Sequence, residues 1–321
     1  MTRALPSIPE ISEAAADLRT RALYDDIKRV TGIPVVNLVY RHLATLPGAL
    51  PWAWRVLRDG YATGDVAARG AALRASMGAR LPPLSGASFR LLGLDKRAIE
   101  DIGAVIETYN TGNALNLVAL TALRLVIEGR ARRRQGAELV EAAAPTPAPR
   151  RRRALMPLPP LAALPPSVLE QVLWLNRLGE TRASKEVASL YRHLAHWPAY
   201  LALAGGLLLP LDAAGELTRL REAARREAER LAAPLAARLA RAAAEPAPSS
   251  LSPVLARFTS AVIPKMLGIG ALLAAGLPKS IAPRAPRLKR PADAPHAHRK
   301  PRLRAARRTR RRSPPRRAQP H

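Results

Sequence analysis

Two stretches of this chain are near copies. YRHLATLP begins at Tyr40 and YRHLAHWP at Tyr191, with six of eight residues identical and an offset of 151. The copying runs further than the motif. Residues Asp25 to Trp54 align with Trp174 to Leu203, and the stretch from Val105 aligns with the one from Val254 at an offset of 149. A near-constant offset over about 130 residues marks a tandem duplication, so each half must be built from the same supersecondary unit.

The unit is helical by several signs. Apolar residues make up 48% of the chain but aromatics only 4%, so the core has to be built from Ala, Leu and Val. Such a composition packs better as helices than as sheets. Val187, Leu190, Leu194 and Trp197 recur at helical spacing and predict a helix through the second motif. Pro47, Pro51 and Pro198 stand where a helix would stop and the chain would turn. Each motif is followed by a long helical stretch, GDVAARGAALRASMGARL in one half and AGELTRLREAARREAERLAAPLAARLARAAA in the other. No run of alternating β-branched residues is present.

The charge lies mostly outside these units. The formal net charge is +28, yet residues 279–321 hold 16 Lys and Arg against one acid, and residues 129–153 hold eight Arg against two Glu. The division expected is residues 1–128 as a first helical repeat, 129–166 as a Pro/Arg-rich linker, 167–278 as a second repeat, and 279–321 as a disordered basic tail. A linker rich in Pro, Ala and Arg suits a long extended crossover, and the tail has too little apolar surface to fold. The tail could meet polyanions through charge alone. No aromatic is interleaved for base stacking, so no specific nucleic-acid site is expected. With no cysteine, disulfides and thiolate metal sites are excluded. MTRALPSIPEISEAAADLR has acids and prolines where a signal peptide needs an apolar run, so a cytoplasmic protein is expected. The 12-residue run MLGIGALLAAGL from Met266 is too short for a bilayer of about 30 Å and predicts a buried helix, not a membrane span.

PEISEAAADLRTRALYDDIKRVTGIPVVNLVYRHLATLPGALPWAW and YNTGNALNLVALTAL, together with the second YRHLAHWP, resemble the group I 2-haloacid dehalogenases. The resemblance covers roughly residues 9 to 277. It implies an all-α fold of two tandem repeats forming an intramolecular pseudo-dimer, with the active site in a cavity between them. It also implies hydrolysis of the carbon–halogen bond of short 2-halocarboxylic acids. An Asp activates a water that attacks C2 directly, an Asn holds that water, and no metal or organic cofactor takes part. The residue types fit the chemistry. Water becomes an adequate nucleophile only when a base takes its proton as the new bond forms, and a second polar group must aim it.

Carried onto this chain, the water-holding Asn is Asn113. The Asp position is occupied by Leu190, behind Ser189, and Leu takes no proton. Glu186, four residues before Leu190, would share its face on a continuous helix and is the candidate base. His193 is a second candidate, although the plainer readings are a surface ion pair of Glu186 with Arg182 or Lys185 and a packed or capping His193. Val35 and Leu38 match apolar substrate-lining positions in the first repeat, and Phe258 an aromatic one in the second. Pro34, Pro47 and Trp54 match scaffold positions. Arg41 and Arg192, equivalent in the two motifs, are candidate donors to a carboxylate, though residues repeated in both halves more often serve the scaffold.

Two functions therefore stand open at the level of sequence. One is a dehalogenase-family hydrolase with an altered base, whose partner is a small carboxylic acid. The other is a non-catalytic relative that binds a small acid or serves as a structural homologue. A homodimer is compatible with either. There is no phosphate-binding glycine loop, no nucleophile elbow and no His cluster at metal spacing beyond a weak HAH at His296 to His298 in the tail.

Overall fold

The computed structural model describes residues 8–131, 154–180 and 185–278. Most of the expected linker, and the expected disordered tail with its HAH, lie outside the described residues. Every long element among the described residues is a helix.

The first half runs α1 (Leu18–Thr31), α2 (Leu38–Leu43), α3 (Ala49–Ala62), α4 (Asp65–Ser76), α5 (Gly86–Leu91) and α6 (Lys96–Ile127). Local chemistry sets several of these ends. Asp17 caps α1 by accepting from the Thr20 backbone N–H at 2.7 Å, and Gly32 stops it in the left-handed region at φ 68°. Asp95 caps α6 in the same way through Ala98 N. The second half runs α7 (Pro166–Arg177), α8 (Ser189–Leu194), α9 (Pro198–Ala213), α10 (Glu216–Ala242), α11 (Leu251–Arg257) and α12 (Ile263–Gly276). Pro198 opens α9, where its missing N–H costs nothing.

The two halves differ most in the last helix. α6 is continuous for 32 residues. Its counterpart breaks into α11, a π-helical turn over Phe258–Val262, and α12. Pro264 supplies the cause, since it cannot donate into the ladder and its ring crowds the preceding turn.

Helices α6, α10, α12 and α4 pack against one another as the centre of the molecule. The Ala-rich composition shows its use in α10, where Ala224, Ala228, Ala232 and Ala236 are all fully buried. Side chains four apart share a helix face, and methyls there let the neighbouring axes come close. Anything larger at these places would overpack the core by about 1–3 kcal/mol. Leu251–Gly276 is long and apolar enough to cross a membrane, but 67% of its most apolar window is buried inside the bundle. The expectation of a buried helix from Met266 describes what α12 does here.

The last residues of the expected linker are not loose. Met156, Pro157 and Pro159 lay their carbonyls along α8, where His193, His196 and Arg192 donate to them. Prolines hold such a segment extended and leave its carbonyls unpaired within the segment. The Arg and His side chains of the second motif are the donors that fix it.

Candidate active site

The two motif copies stand next to each other, and a single carboxylate joins them. Glu10, from the segment before α1, accepts from Arg41 Nε at 2.8 Å and from Arg192 Nη1 at 2.8 Å. Arg41 also donates to the Val36 carbonyl and, through Nη2, to Ser189 Oγ at 3.0 Å. Burial alone would raise the Glu10 carboxyl, but the two guanidinium groups outweigh it and hold the pKa below its ordinary value. The paired arginines are thus an anion site, and the anion they hold is a residue of this chain. Two cations against one carboxylate leave a net positive charge in this buried layer.

Beside the clamp lies a cavity of about 40 Å³, several times what one ordered water needs. It is bounded by matching positions of both halves. Asn37, Leu38 and Val39 at the start of α2 face Ala188, Ser189 and Leu190 at the start of α8. Tyr109 and Asn113 of α6 are matched by Phe258 and Val262 of the π-helical turn. Asn116, Ile263 and Met266 complete the lining.

The polar groups are not shared evenly. Asn37, Tyr109, Asn113 and Asn116 come from the first half, and Ser189 is the only polar side chain the second half adds to this lining. Gly112 makes room for the Asn37 amide, since a Cβ there would lie 3.2 Å from its Oδ1. Asn116 Oδ1 receives the Tyr40 hydroxyl at 3.1 Å and the Tyr61 hydroxyl at 2.9 Å, so its Nδ2 is the group with protons to offer. Both phenols are held neutral by burial, well above the usual tyrosine range.

Tyr109 is tied to the second motif. Its hydroxyl lies 2.6 Å from His193 Nδ1, and His193 Nε2 lies 2.9 Å from the Met156 carbonyl. A carbonyl only accepts, so Nε2 carries the imidazole proton and Nδ1 accepts from Tyr109. Burial pushes the His193 pKa down to about 4, with the Met156 carbonyl opposing and His196, Arg41 and Arg192 adding to the fall. The imidazole is therefore neutral near pH 7.

Asn113, Leu38, Ser189, Leu190 and Phe258 all line this one cavity. Val35 does not; it packs at the margin of the core, two residues before the lining begins. Glu186 does not line it either. The helix expected through residues 187–197 begins only at Ser189, so Glu186 sits in the preceding loop and the shared face with Leu190 does not exist. Its carboxylate instead accepts from Arg257 Nη2 at 2.5 Å, and its backbone carbonyl accepts from the Asn176 amide. Among the described residues that line the cavity, none carries a carboxylate. Tyr109, Asn37 and Asn116 were not foreseen. The 149-residue offset could have flagged Tyr109, because it is the partner of Phe258.

Among known proteins, a configuration-inverting 2-haloacid dehalogenase of Alcaligenes xylosoxydans xylosoxydans is 29% identical over 200 residues, which is 61% of this chain and 66% of that relative. The chain is similar in sequence to a configuration-inverting 2-haloacid dehalogenase. The aligned part thus spans just under two thirds of the relative's length. Its fold is that of the 2-haloacid dehalogenases as well. A D-2-haloacid dehalogenase mutant in complex with D-2-CPA superposes with a TM-score of 0.65 at 19% identity, covering 84% of this chain and 96% of that one. The D-2-haloacid dehalogenase with L-LA gives 0.65 at 18% identity, covering 86% and 98%. No family model matches the chain. In this dehalogenase fold the all-α class expected from composition is what the structure has.

Proposed function

We propose that this chain hydrolyses the carbon–halogen bond of short 2-halocarboxylic acids in the cavity between the two motif copies. In this reading Asn113 holds the attacking water, and no carboxylate serves as base. One observation carries the proposal: equivalent positions of both motifs meet around one cavity, lined by amides and hydroxyls mostly of the first half and by apolar side chains of both. The Asn116 and Ser189 groups suit the substrate carboxylate, and the net positive charge of the Glu10 clamp favours an anion nearby. Leu38, Leu190 and Phe258 offer apolar contact to the halogen and the carbon chain. The sequence relative, a configuration-inverting 2-haloacid dehalogenase, supports the substrate class and inversion at C2. The burial of Leu251–Gly276 fits a core helix of a soluble protein, and a cytoplasmic location is part of this reading.

The neutral lining favours a second reading, in which the chain binds a small acid and does not turn it over. One substitution separates the two. Leu190→Asp returns a carboxylate to the place where the resemblance puts the family's base. If the wild type releases no halide from either enantiomer of 2-chloropropionate while Leu190→Asp does, the chain is a binder with an intact pocket. If the wild type releases halide, it is a hydrolase, and Leu190→Asp should raise the rate by about 100-fold or more. Failure of both to bind 2-chloropropionate by calorimetry would sink the small-acid site altogether.

A further inference from the structure

A hydrolysis without a carboxylate still needs somewhere for the water's proton to go. We propose that Tyr109 and His193 together accept it, Tyr109 touching the attacking water and His193 taking the proton through the Tyr109 hydroxyl. This rests on the reading of the cavity as a 2-haloacid site, and it names the base which that reading leaves open.

The geometry is already aligned for the transfer. The Tyr109 hydroxyl donates to His193 Nδ1 across 2.6 Å, and the Met156 carbonyl fixes the tautomer that keeps Nδ1 free of its own proton. Tyr109 and Asn113 are one turn apart on α6 and line the same cavity. The Cβ atoms of residues four apart on a helix lie about 5–6 Å from each other, so both side chains leave the same face of α6. In this proposal a water held by the Asn113 amide touches the Tyr109 oxygen, which lines the same cavity. Ser189, held by Arg41, stands beside that oxygen as well.

The step balances as follows. A lone pair of the water oxygen forms the bond to C2 as the carbon–halogen pair leaves with the halide. The water's proton passes to Tyr109 Oη while the Tyr109 proton passes to His193 Nδ1. The products are the 2-hydroxy acid, free halide and an imidazolium, which then returns its proton to solvent.

Charges around the pair shape this transfer. Burial and the Glu13 carboxylate oppose negative charge on Tyr109, while Arg41, Arg192 and Ser189 favour it. His193 is faced by Tyr109 from α6 and Arg41 from α2, by Arg192 on its own helix and His196 in the turn after it, and by the Met156 carbonyl. Glu10 bridges the two arginines. With a pKa of about 4, His193 is no stronger a base than an ordinary carboxylate and no weaker. It stays unprotonated at neutral pH and readily releases the proton it has taken.

The test uses the full chain, with (R)- and (S)-2-chloropropionate as probes. Halide release and calorimetric binding are measured for wild type, Tyr109→Phe and His193→Gln, and wild-type rates are followed in mixtures of light and heavy water. The expected result is a kcat loss of about 100-fold or more in each variant, with binding changed by less than about threefold. The wild-type rate should bow against deuterium fraction, because two protons move at once. A purely structural role for His193 would not produce that curve. A wild type that binds the acid but releases no halide would overturn the relay and leave the small-acid site standing. So would variants that keep their rate within about threefold, or a straight isotope plot. No binding at all would overturn both. Should Tyr109→Phe fail to fold, His193→Gln and the isotope plot decide alone.

Discussion

The histidine of each YRHLA copy packs against an aromatic ring from the opposite half, and the two contacts differ by one oxygen atom. His193 lies 5.5 Å from the Tyr109 ring and receives its hydroxyl. His42 lies 6.2 Å from the Phe258 ring, which has no hydroxyl, and turns Nδ1 to the Pro9 carbonyl at 2.7 Å. The same drift recurs one layer deeper. Asn116 gathers the Tyr40 and Tyr61 hydroxyls, whereas its counterpart Lys265 reaches away to the Asn176 carbonyl and Glu180. The Tyr191 hydroxyl, counterpart of Tyr40, is buried with no hydrogen-bond partner among the described residues. The shared residues hold the helices in register. The differing ones decide which wall of the cavity is polar, and that wall belongs almost wholly to the first half.

The harshest way to break the comparison is to remove the residue that ties the two copies together. Glu10→Ala leaves the Arg41 and Arg192 guanidinium groups buried without their shared counter-charge. Truncating one side of a buried ion pair typically costs 3–5 kcal/mol; because Glu10 is partly exposed, about 3 kcal/mol is expected in urea unfolding of the full chain. Acid should act the same way on the wild type. The folded pKa of Glu10 lies below its ordinary 4.5. Its contribution is therefore complete above that pH and lost as the pH falls through the lower, folded value. Glu10→Ala should flatten this acid limb.

That clamp also shows how far the sequence could be read. Duplication and composition were enough for the all-helical class, because a repeat at constant offset and an Ala/Leu core each exclude most alternatives. Asn113, Leu38, Ser189, Leu190 and Phe258 could be drawn to one cavity because the resemblance to the 2-haloacid dehalogenases implies it. Glu186 could not be placed, since it depended on whether α8 began before Ser189, and helix ends are set by caps and neighbours that periodicity does not see. Glu10 looked like one acid in a polar leader, yet its partners are 31 and 182 residues away. Tyr109 and His193 are 84 residues apart. Such pairs exist only once the halves have closed on each other.

A milder break tests the second copy's histidine through pH alone. The unfolded His193 titrates near 6.5 and the folded one near 4. Between those values the unfolded chain binds the proton that the folded chain refuses, so stability is full above about 6.5 and falls as the pH drops toward 4. The whole drop is worth about 3 kcal/mol. His193→Gln should remove that slope in unfolding curves taken between pH 7 and 4. A slope that survives unchanged would mean the buried imidazole is more hydrated than its surroundings imply.

The smallest change sharpens the comparison instead of breaking it. Phe258→Tyr gives the second half the oxygen it lacks, at a position that already lines the cavity. A hydroxyl with that access should alter stability by less than about 1 kcal/mol. It should not restore halide release to Tyr109→Phe, because a relay needs its water held one turn further along. In the first half that place is Asn113; in the second it is Val262, whose side chain has neither donor nor acceptor. Full recovery in the Tyr109→Phe/Phe258→Tyr double variant would mean that the two walls are interchangeable. The amide at Asn113 would then have no part in directing the water.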